Sequence, residues 1–277
     1  SNQVLFGASV IAALVSLFIP VAALLVAGIG VVAPFGLSLR GRTSTLNWTR
    51  RMRTVGLVAG CFAIVPVALG LIVGVGPAVA ALVVVGLPAV VDLALRALAP
   101  VERRAAARFV EQASTRLRAV DPTTVAITGS YGKTTTKVII EHLLRDHLAI
   151  VASPASFNNT AGLSRAVNEH LRDDTLVFVA EMGTYGKGEI ASMCSWVQPD
   201  IGVMTAIGPV HLERMRTLDG IVEAKSEILD GARAGVLNID AHGLKALADT
   251  VEGRGLDVVR CSGLDENADV FVKRVED

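Results

Sequence analysis

Charge is what the first hundred residues lack. Up to Pro100 the charged side chains are Arg40, Arg42, Arg50, Arg51, Arg53, Arg96 and the lone acid Asp92. Every other aspartate and glutamate lies beyond that point, so a formal net charge of zero conceals an apolar, basic part followed by an acidic one. Such a split points to a membrane segment joined to a water-facing domain. Cysteine is also scarce. Cys61, Cys194 and Cys261 are scattered with no CxxC spacing, so neither a disulfide framework nor a cysteine zinc site is indicated. No basic patch of the nucleic-acid-binding kind interrupts the second part, so no nucleic-acid partner is expected. What is abundant is apolar: 52% of residues are hydrophobic and the mean hydropathy is +0.53, too high for an ordinary soluble chain. The chain starts Ser1-Asn2-Gln3 and ends in a strand-like, charged VFVKRVED, and it reads as a piece of a longer protein.

The apolar residues fall in runs of membrane-spanning length. Val4 to Leu37 suits one tilted span, or a tight pair broken near Pro20. A cleaved signal peptide fits poorly, since there is no basic leading region and the run is too long. After a polar loop with five arginines, Val55 to Val73 and Ala78 to Leu98 flank a Gly74–Pro77 turn and read as a membrane hairpin. Arginines border the hairpin on both sides, which places both of its ends in the cytoplasm. The expected location is therefore the plasma membrane, crossed several times. Val101 to Val120 has the spacing of a basic amphipathic helix with Phe109, Val110, Ala113 and Leu117 as apolar positions. It would lie on the membrane surface or act as a solvated connector. The expected organisation is a transmembrane helical region over 1–100, a linker helix over 101–121, and an ATP-binding domain over 122–277 that is incomplete at its end.

The domain is organised around GSYGKTTT, Gly129 to Thr136. Thr123 to Thr128 reads as a buried strand, and Lys137 to His147 as a helix with Val138, Ile139, His142 and Leu143 available for one face. Strand, glycine loop, lysine–hydroxyl pair and helix make a phosphate-binding P-loop. Gly129 and Gly132 let backbone N–H groups close on a polyphosphate, with Ser130, Tyr131 and Thr135 completing the loop. Lys133 supplies a mobile charge for the β- and γ-phosphates, and Thr134 a hydroxyl where Mg²⁺ would sit.

Beyond the loop, strands and helices alternate. Strands are expected at Ala149–Ala152, Thr175–Glu181, Ile201–Ala206, Gly235–Ile239 and Leu256–Cys261. Helices are expected at Ala161–Leu171, Gly188–Trp196 and Ile221–Ala232. This alternation implies an α/β fold with a mostly parallel sheet and ligands at the carboxyl ends of its strands. Glu181 ends an apolar strand there, well placed to hold a metal ion. His211 follows another strand and could hold a second ion, although such a histidine is more often merely hydrogen-bonded. Lys225 lies on a helix, where most lysines are solvated.

Taken together, GSYGKTTT, FNNTAGL, EMGTYGKGEI, GPVHLE, AKSEIL and VLNID resemble, in order, the central ATPase domain of the Mur ligases. These ATP-dependent enzymes join amino acids or peptides to the cell-wall precursor. EMG…GEI and GPVHLE look most like the members that add D-alanyl-D-alanine. The resemblance implies an acyl-phosphate route to an amide, with ATP and two Mg²⁺ ions. It implies Thr134 and Glu181 on one ion, His211 on a second, Lys225 as a metal-facing carbamate, and Asn238 near the adenine. Asn158 and Asn159 match a pair near nucleotide or acceptor. The partners implied are a muramoyl-peptide, or a lipid-linked precursor given the apolar runs, and an amino acid or dipeptide amine.

Departures accompany the likeness. Ala206 stands where family members often have Asn, and Thr160 where the D-Ala-D-Ala ligases usually have Glu. The family's amino-terminal domain is replaced by apolar runs, and its carboxyl-terminal domain has no counterpart. Three other readings remain: a Mur-like ligase making another amide, a partitioning-type ATPase whose loop also ends GKTTT, and a membrane-anchored scaffold that binds ATP without catalysis.

Overall fold

The computed structural model describes residue 11 and residues 48–154, 157–210 and 212–272. The expected segment Val4–Leu37 lies outside these residues except for Ile11. The chain divides into two compact units, Ser1–Arg104 and Ala105–Asp277.

In the first unit, Thr49 starts helix α1 (Arg50–Ile72) by accepting a hydrogen bond from Met52 N at 3.2 Å. A turn with Gly74 at φ +82° leads into α2 (Gly76–Val85). A Cβ on Gly76 would come 2.4 Å from Leu71 Cδ2, so only glycine lets the two helices meet this closely. The sequence predicts one helix over Ala78–Leu98. Instead the chain breaks at Gly86 and bends by 77° into α3 (Leu87–Val120). Pro88 explains the break: it has no N–H to give Val84 O, and its ring crowds that carbonyl. With 23 residues and a mean hydropathy of 2.5, α1 is long and apolar enough to cross a membrane. The pair α2 and α3 passes the same test only when taken together.

The boundary between the units falls inside α3. Its last turns belong to the second unit, where Ala113 and Leu117 are 0% and 4% exposed. Arg116 Nη2 donates to Leu171 O at 2.6 Å, and Asn168 Nδ2 to Phe109 O at 3.0 Å. Val110, Ala113 and Leu117 of the apolar stripe therefore pack into an α/β core, while Phe109 stays 37% exposed.

That core surrounds a sheet of seven described strands, all paired in parallel: β1 (Thr123–Thr128), β2 (Ile150–Ala152), β3 (Val177–Glu181), β4 (Ile201–Met204), β5 (Ala234–Asn238), β6 (Asp257–Ser262) and β7 (Val270–Phe271). Their order is β2-β3-β1-β4-β5-β6-β7. From central β1 the chain first winds to β2 and β3, then crosses to β4. Ligands bind where an open parallel sheet reverses direction in this way. The register aligns the strand ends there: Ile127 faces Glu181, and Thr128 faces Met204.

Because strand side chains alternate, each face receives its own set. Ala126, Phe178, Ala180, Met204 and Leu237 meet α5 (Thr160–His170), α6 (Glu189–Val197) and α9 (Leu244–Glu252) through Leu163, Ile190, Met193 and Leu244. Burying Phe178 completely contributes about 2–3 kcal/mol by area. Val125, Ile127, Val177, Val179 and Val203 form the other face, against Ile140 of α4 (Lys133–Leu144).

Helix α4 differs from expectation. It starts at Lys133, four residues early, and turns Lys137 and Ile140 inward. Val138 and Ile139 are 52% exposed and Leu143 is 65% exposed. A buried carboxylate on β3, described below, draws Lys137 in and so sets the helix rotation. The single helix expected over Ile221–Ala232 is α8 (Leu218–Ser226) followed by a 3₁₀ turn, Glu227–Leu229. A short α7 (Leu212–Met215) precedes it.

Candidate functional site

The loop after β1 is held open by glycine and pinned from behind. Gly129 (φ +154°) and Gly132 (φ +82°) take backbone angles that side chains disfavour. A Cβ on Gly129 would lie 2.0 Å from Thr205 Oγ1. That hydroxyl is 2.6 Å from Tyr131 O and 3.1 Å from Thr128 O. Ser130 N donates to Ala206 O at 2.7 Å, and Gly208 N donates to Ser130 Oγ at 3.0 Å. Ala206 thus contributes a carbonyl, for which side-chain identity is immaterial. No side chain caps α4, so its first N–H groups are available to an anion.

Charged groups converge on this loop. Lys133 Nζ donates to Gly129 O at 2.8 Å, and Lys225 Nζ reaches the same carbonyl at 3.1 Å. Thr134 Oγ1 lies 3.1 and 3.0 Å from the two oxygens of Glu181. Lys137 Nζ stands 2.9 Å from Glu181 Oε2, with both side chains only 4% exposed. Ser153 Oγ accepts from Glu181 N at 3.1 Å and steadies the strand end. Burial pulls the Lys225 ammonium down to about 8, and the Lys133 charge adds to the effect. Lys133 is lowered too, by burial, against the opposing pull of Glu181. A lysine near 8 is partly neutral at physiological pH, as a nucleophilic amine that takes up CO₂ must be.

A cleft of about 120 Å³ opens beside the loop, lined by Ser130, Lys133, Asn158, Thr184, Glu189 and Lys225 among others. Asn158 O accepts from Gly183 N at 2.7 Å, which joins the FNNTAGL and EMG segments. Asn159 also borders the cleft, but its Oδ1 caps α5 by accepting from Gly162 N at 2.9 Å. A larger cleft of about 250 Å³ lies at the amino ends of β1 and β4, around Thr124, Trp196 and Asp200. It is on the opposite edge of the sheet and contains none of the loop residues, so it is not the site described here.

Of the residues singled out from sequence, Gly129, Ser130, Lys133, Asn158, Asn159 and Lys225 line one cleft. Thr134 and Glu181 stand together beside it. Asn238 does not join them; it ends β5, one strand beyond β4, where its Oδ1 accepts from Asp240 N at 3.2 Å. Tyr131 is 56% exposed, and Thr135 is exposed on the first turn of α4. His211 lies outside the described residues. Sequence reasoning missed Lys137, whose signal was its place one helical turn after Lys133. It also missed Glu227, which accepts from Gly188 N at 2.6 Å and Ala191 N at 3.0 Å and so caps α6. Lys187 pairs with Glu223 nearby. The EMGTYGKGEI and AKSEIL motifs are therefore bonded to each other.

The donor set suits a hard cation. A hydroxyl and a carboxylate sit side by side, and no group of three or more His, Cys, Asp or Glu residues gathers among the described residues. Mg²⁺ is commonly held by one or two protein oxygens, with phosphates and waters completing its shell.

Comparison with known proteins agrees with this geometry. The profile of the Mur ligase middle domain matches residues 127–277. The UDP-N-acetylmuramoyl-tripeptide–D-alanyl-D-alanine ligase of Bacillus subtilis (strain 168) is 38% identical over 109 residues, covering 39% of this chain and 24% of that protein. The enzyme of the same name from Mycobacterium tuberculosis (strain H37Rv) is 33% identical over 170 residues, covering 60% and 32%. Among solved structures, MurF from Acinetobacter baumannii has a TM-score of 0.56 at 25% identity, covering 62% of this chain and 37% of that one. MurF ligase from Thermotoga maritima in complex with ADP has a TM-score of 0.53 at 26% identity, covering 58% and 37%. The chain thus spans about a quarter to a third of the curated relatives it matches.

Proposed function

Because the chain belongs to the Mur ligase family through its middle domain, residues 127–277, we propose that it is an ATP-dependent amide-forming ligase of cell-wall precursor synthesis. The names of the relatives support the addition of D-Ala-D-Ala to a muramoyl-tripeptide as the proposed reaction. One observation supports this above the rest: Lys133, Thr134, Glu181 and Lys225 gather at the carboxyl ends of β1 and β3 around an open glycine loop.

The reaction class is amide formation through an acyl phosphate. The acceptor carboxylate takes the γ-phosphoryl group, an amine attacks the acyl carbon, and phosphate departs. The loop N–H groups and Lys133 would bind and orient the polyphosphate, offsetting charge on the transferred group. Thr134 and Glu181 would hold magnesium, which when bound neutralises phosphate charge. Lys225, as an amine or as a carbamate, borders the same cleft and would set the charge facing the acceptor. His211 is proposed as a ligand of a second ion, and Asn238 as a contact to adenine.

The length and apolarity of α1 favour a second reading of the acceptor. In it the protein is anchored in the plasma membrane as a multi-pass chain with its ATP site in the cytoplasm, and the acceptor is lipid-linked. Organisation into an apolar region over 1–100, a helix over 101–121 and a catalytic domain from 122 belongs to the same proposal. The test uses the full-length protein in detergent with ATP, Mg²⁺ and D-Ala-D-Ala. It compares UDP-linked with lipid-linked muramoyl-tripeptide and reads ADP release and product mass. A product heavier by the dipeptide, lost in Lys133→Ala, is expected. ADP release with the lipid-linked acceptor alone would select the second reading. Silence with both would refute the ligase and leave a nucleotide-binding scaffold.

A further inference from the structure

Glu181 already has a positive partner before any metal binds. Its Oε2 carries the Lys137 ammonium at 2.9 Å, and both partners are buried at 4% side-chain exposure. Lys133 also acts on it through space. Lys225 shares the Gly129 carbonyl with Lys133. Lys137 and Lys133 thus act on one carboxylate, and Lys225 stands beside Lys133 on the neighbouring Gly129 carbonyl. The neutral Thr134 hydroxyl lies near both oxygens, 3.1 Å from Oε1 and 3.0 Å from Oε2, whereas the Lys137 hydrogen bond goes to Oε2.

We propose that Lys137 is a positioning residue that acts as the internal counter-cation of the metal site, so that a divalent ion is admitted only together with polyphosphate. Two physical effects follow from its placement. A buried carboxylate without a partner is strongly disfavoured, so the Lys137 hydrogen bond holds Glu181 in place against Thr134. The same ammonium repels a second cation at close range, where burial leaves little screening. A polyanion on the glycine loop supplies the negative charge that offsets Lys133 and Lys225. With that charge in place, Glu181 Oε1 becomes favourable to a cation. A site built this way binds the metal–nucleotide complex and resists free metal.

The inference rests on the nucleotide-site reading above, and its test separates the two. Mn²⁺ binding to the full-length protein is followed by electron paramagnetic resonance of the free ion, with and without ADP. Thermal melts record folding. In the native protein, Mn²⁺ should bind at least tenfold more tightly with ADP than without. In Lys137→Gln, which keeps a hydrogen-bond donor but no charge, Mn²⁺ alone should bind at least tenfold more tightly than in the native protein. The advantage given by ADP should shrink accordingly, and Lys137→Arg should restore it. A folded Lys137→Gln with unchanged or weaker Mn²⁺ binding would overturn the proposal and leave the pair a purely structural one. Tight Mn²⁺ binding to the native protein without nucleotide would also overturn it, even if the glutamine variant does not fold. Failure of ADP itself to bind would instead remove the nucleotide-site reading.

Discussion

Replacing Lys225 by methionine should end turnover and yet stabilise the protein at neutral pH. Lys225 is 5% exposed, and burial with the neighbouring Lys133 charge brings its ammonium from 10.5 to about 8. Between pH 8 and 10.5 the unfolded chain therefore binds more protons than the folded one, so stability rises with pH across that window. Below it the penalty is fully present, at roughly 3 kcal/mol. Methionine keeps most of the side-chain length and carries no charge to desolvate. Gly129 O is not stranded by the change, because it retains Lys133 at 2.8 Å. The gain should be about 1–3 kcal/mol at pH 7, which is on the order of 5 °C in melting temperature for a domain of this size. The assay is urea unfolding in CO₂-free buffer from pH 6.5 to 10, alongside ADP release. The native protein should gain stability above pH 8 and approach the variant near pH 10, whereas the variant should keep only the smaller rise that the lowered Lys133 contributes. A variant less stable than native at pH 7, or one with the same upward slope, would refute the reasoning.

Other substitutions probe the walls of the site. A Cβ on Gly208 would lie 2.3 Å from Tyr131 Cε2, so Gly208→Ala should turn the exposed Tyr131 ring aside and weaken ADP binding by a few-fold. Adding Tyr131→Ser should recover most of that loss in calorimetric titration, and no recovery would place the fault elsewhere. Glu227→Ala removes the acceptor of Gly188 N and Ala191 N, and should cost about 1–2 kcal/mol in urea unfolding, the usual effect of losing a helix cap.

The phosphate loop was legible in the sequence because its chemistry is local. Gly129, Gly132, Lys133 and Thr134 are neighbours in the chain, and the backbone angles they need follow from residue type alone. The sheet was legible for the same reason: short β-rich runs alternate with helical spacing, and that pattern permits few topologies. Glu181 could be placed at the end of its strand, although not given its partners. The rotation of α4 was misjudged because apolarity was taken as the guide to its inner face. Val138, Ile139 and Leu143 look more suited to burial than Lys137. Lys137 enters the core because the Glu181 carboxylate is there to meet it.

By itself, then, the sequence determined the nucleotide loop, the parallel α/β class and the family, since each motif and element they are read from is local in the chain and their order is the order of the sequence. Only the tertiary structure decided which charges meet. Lys137 and Glu181, 44 residues apart, become a buried pair because β1 and β3 are hydrogen-bonded neighbours in parallel register. Lys225 reaches the carbonyl of Gly129 across 96 residues, and its lowered pKa exists only there. Burial and Coulomb energy depend on distances through space, and the order of residues along a chain does not contain those distances.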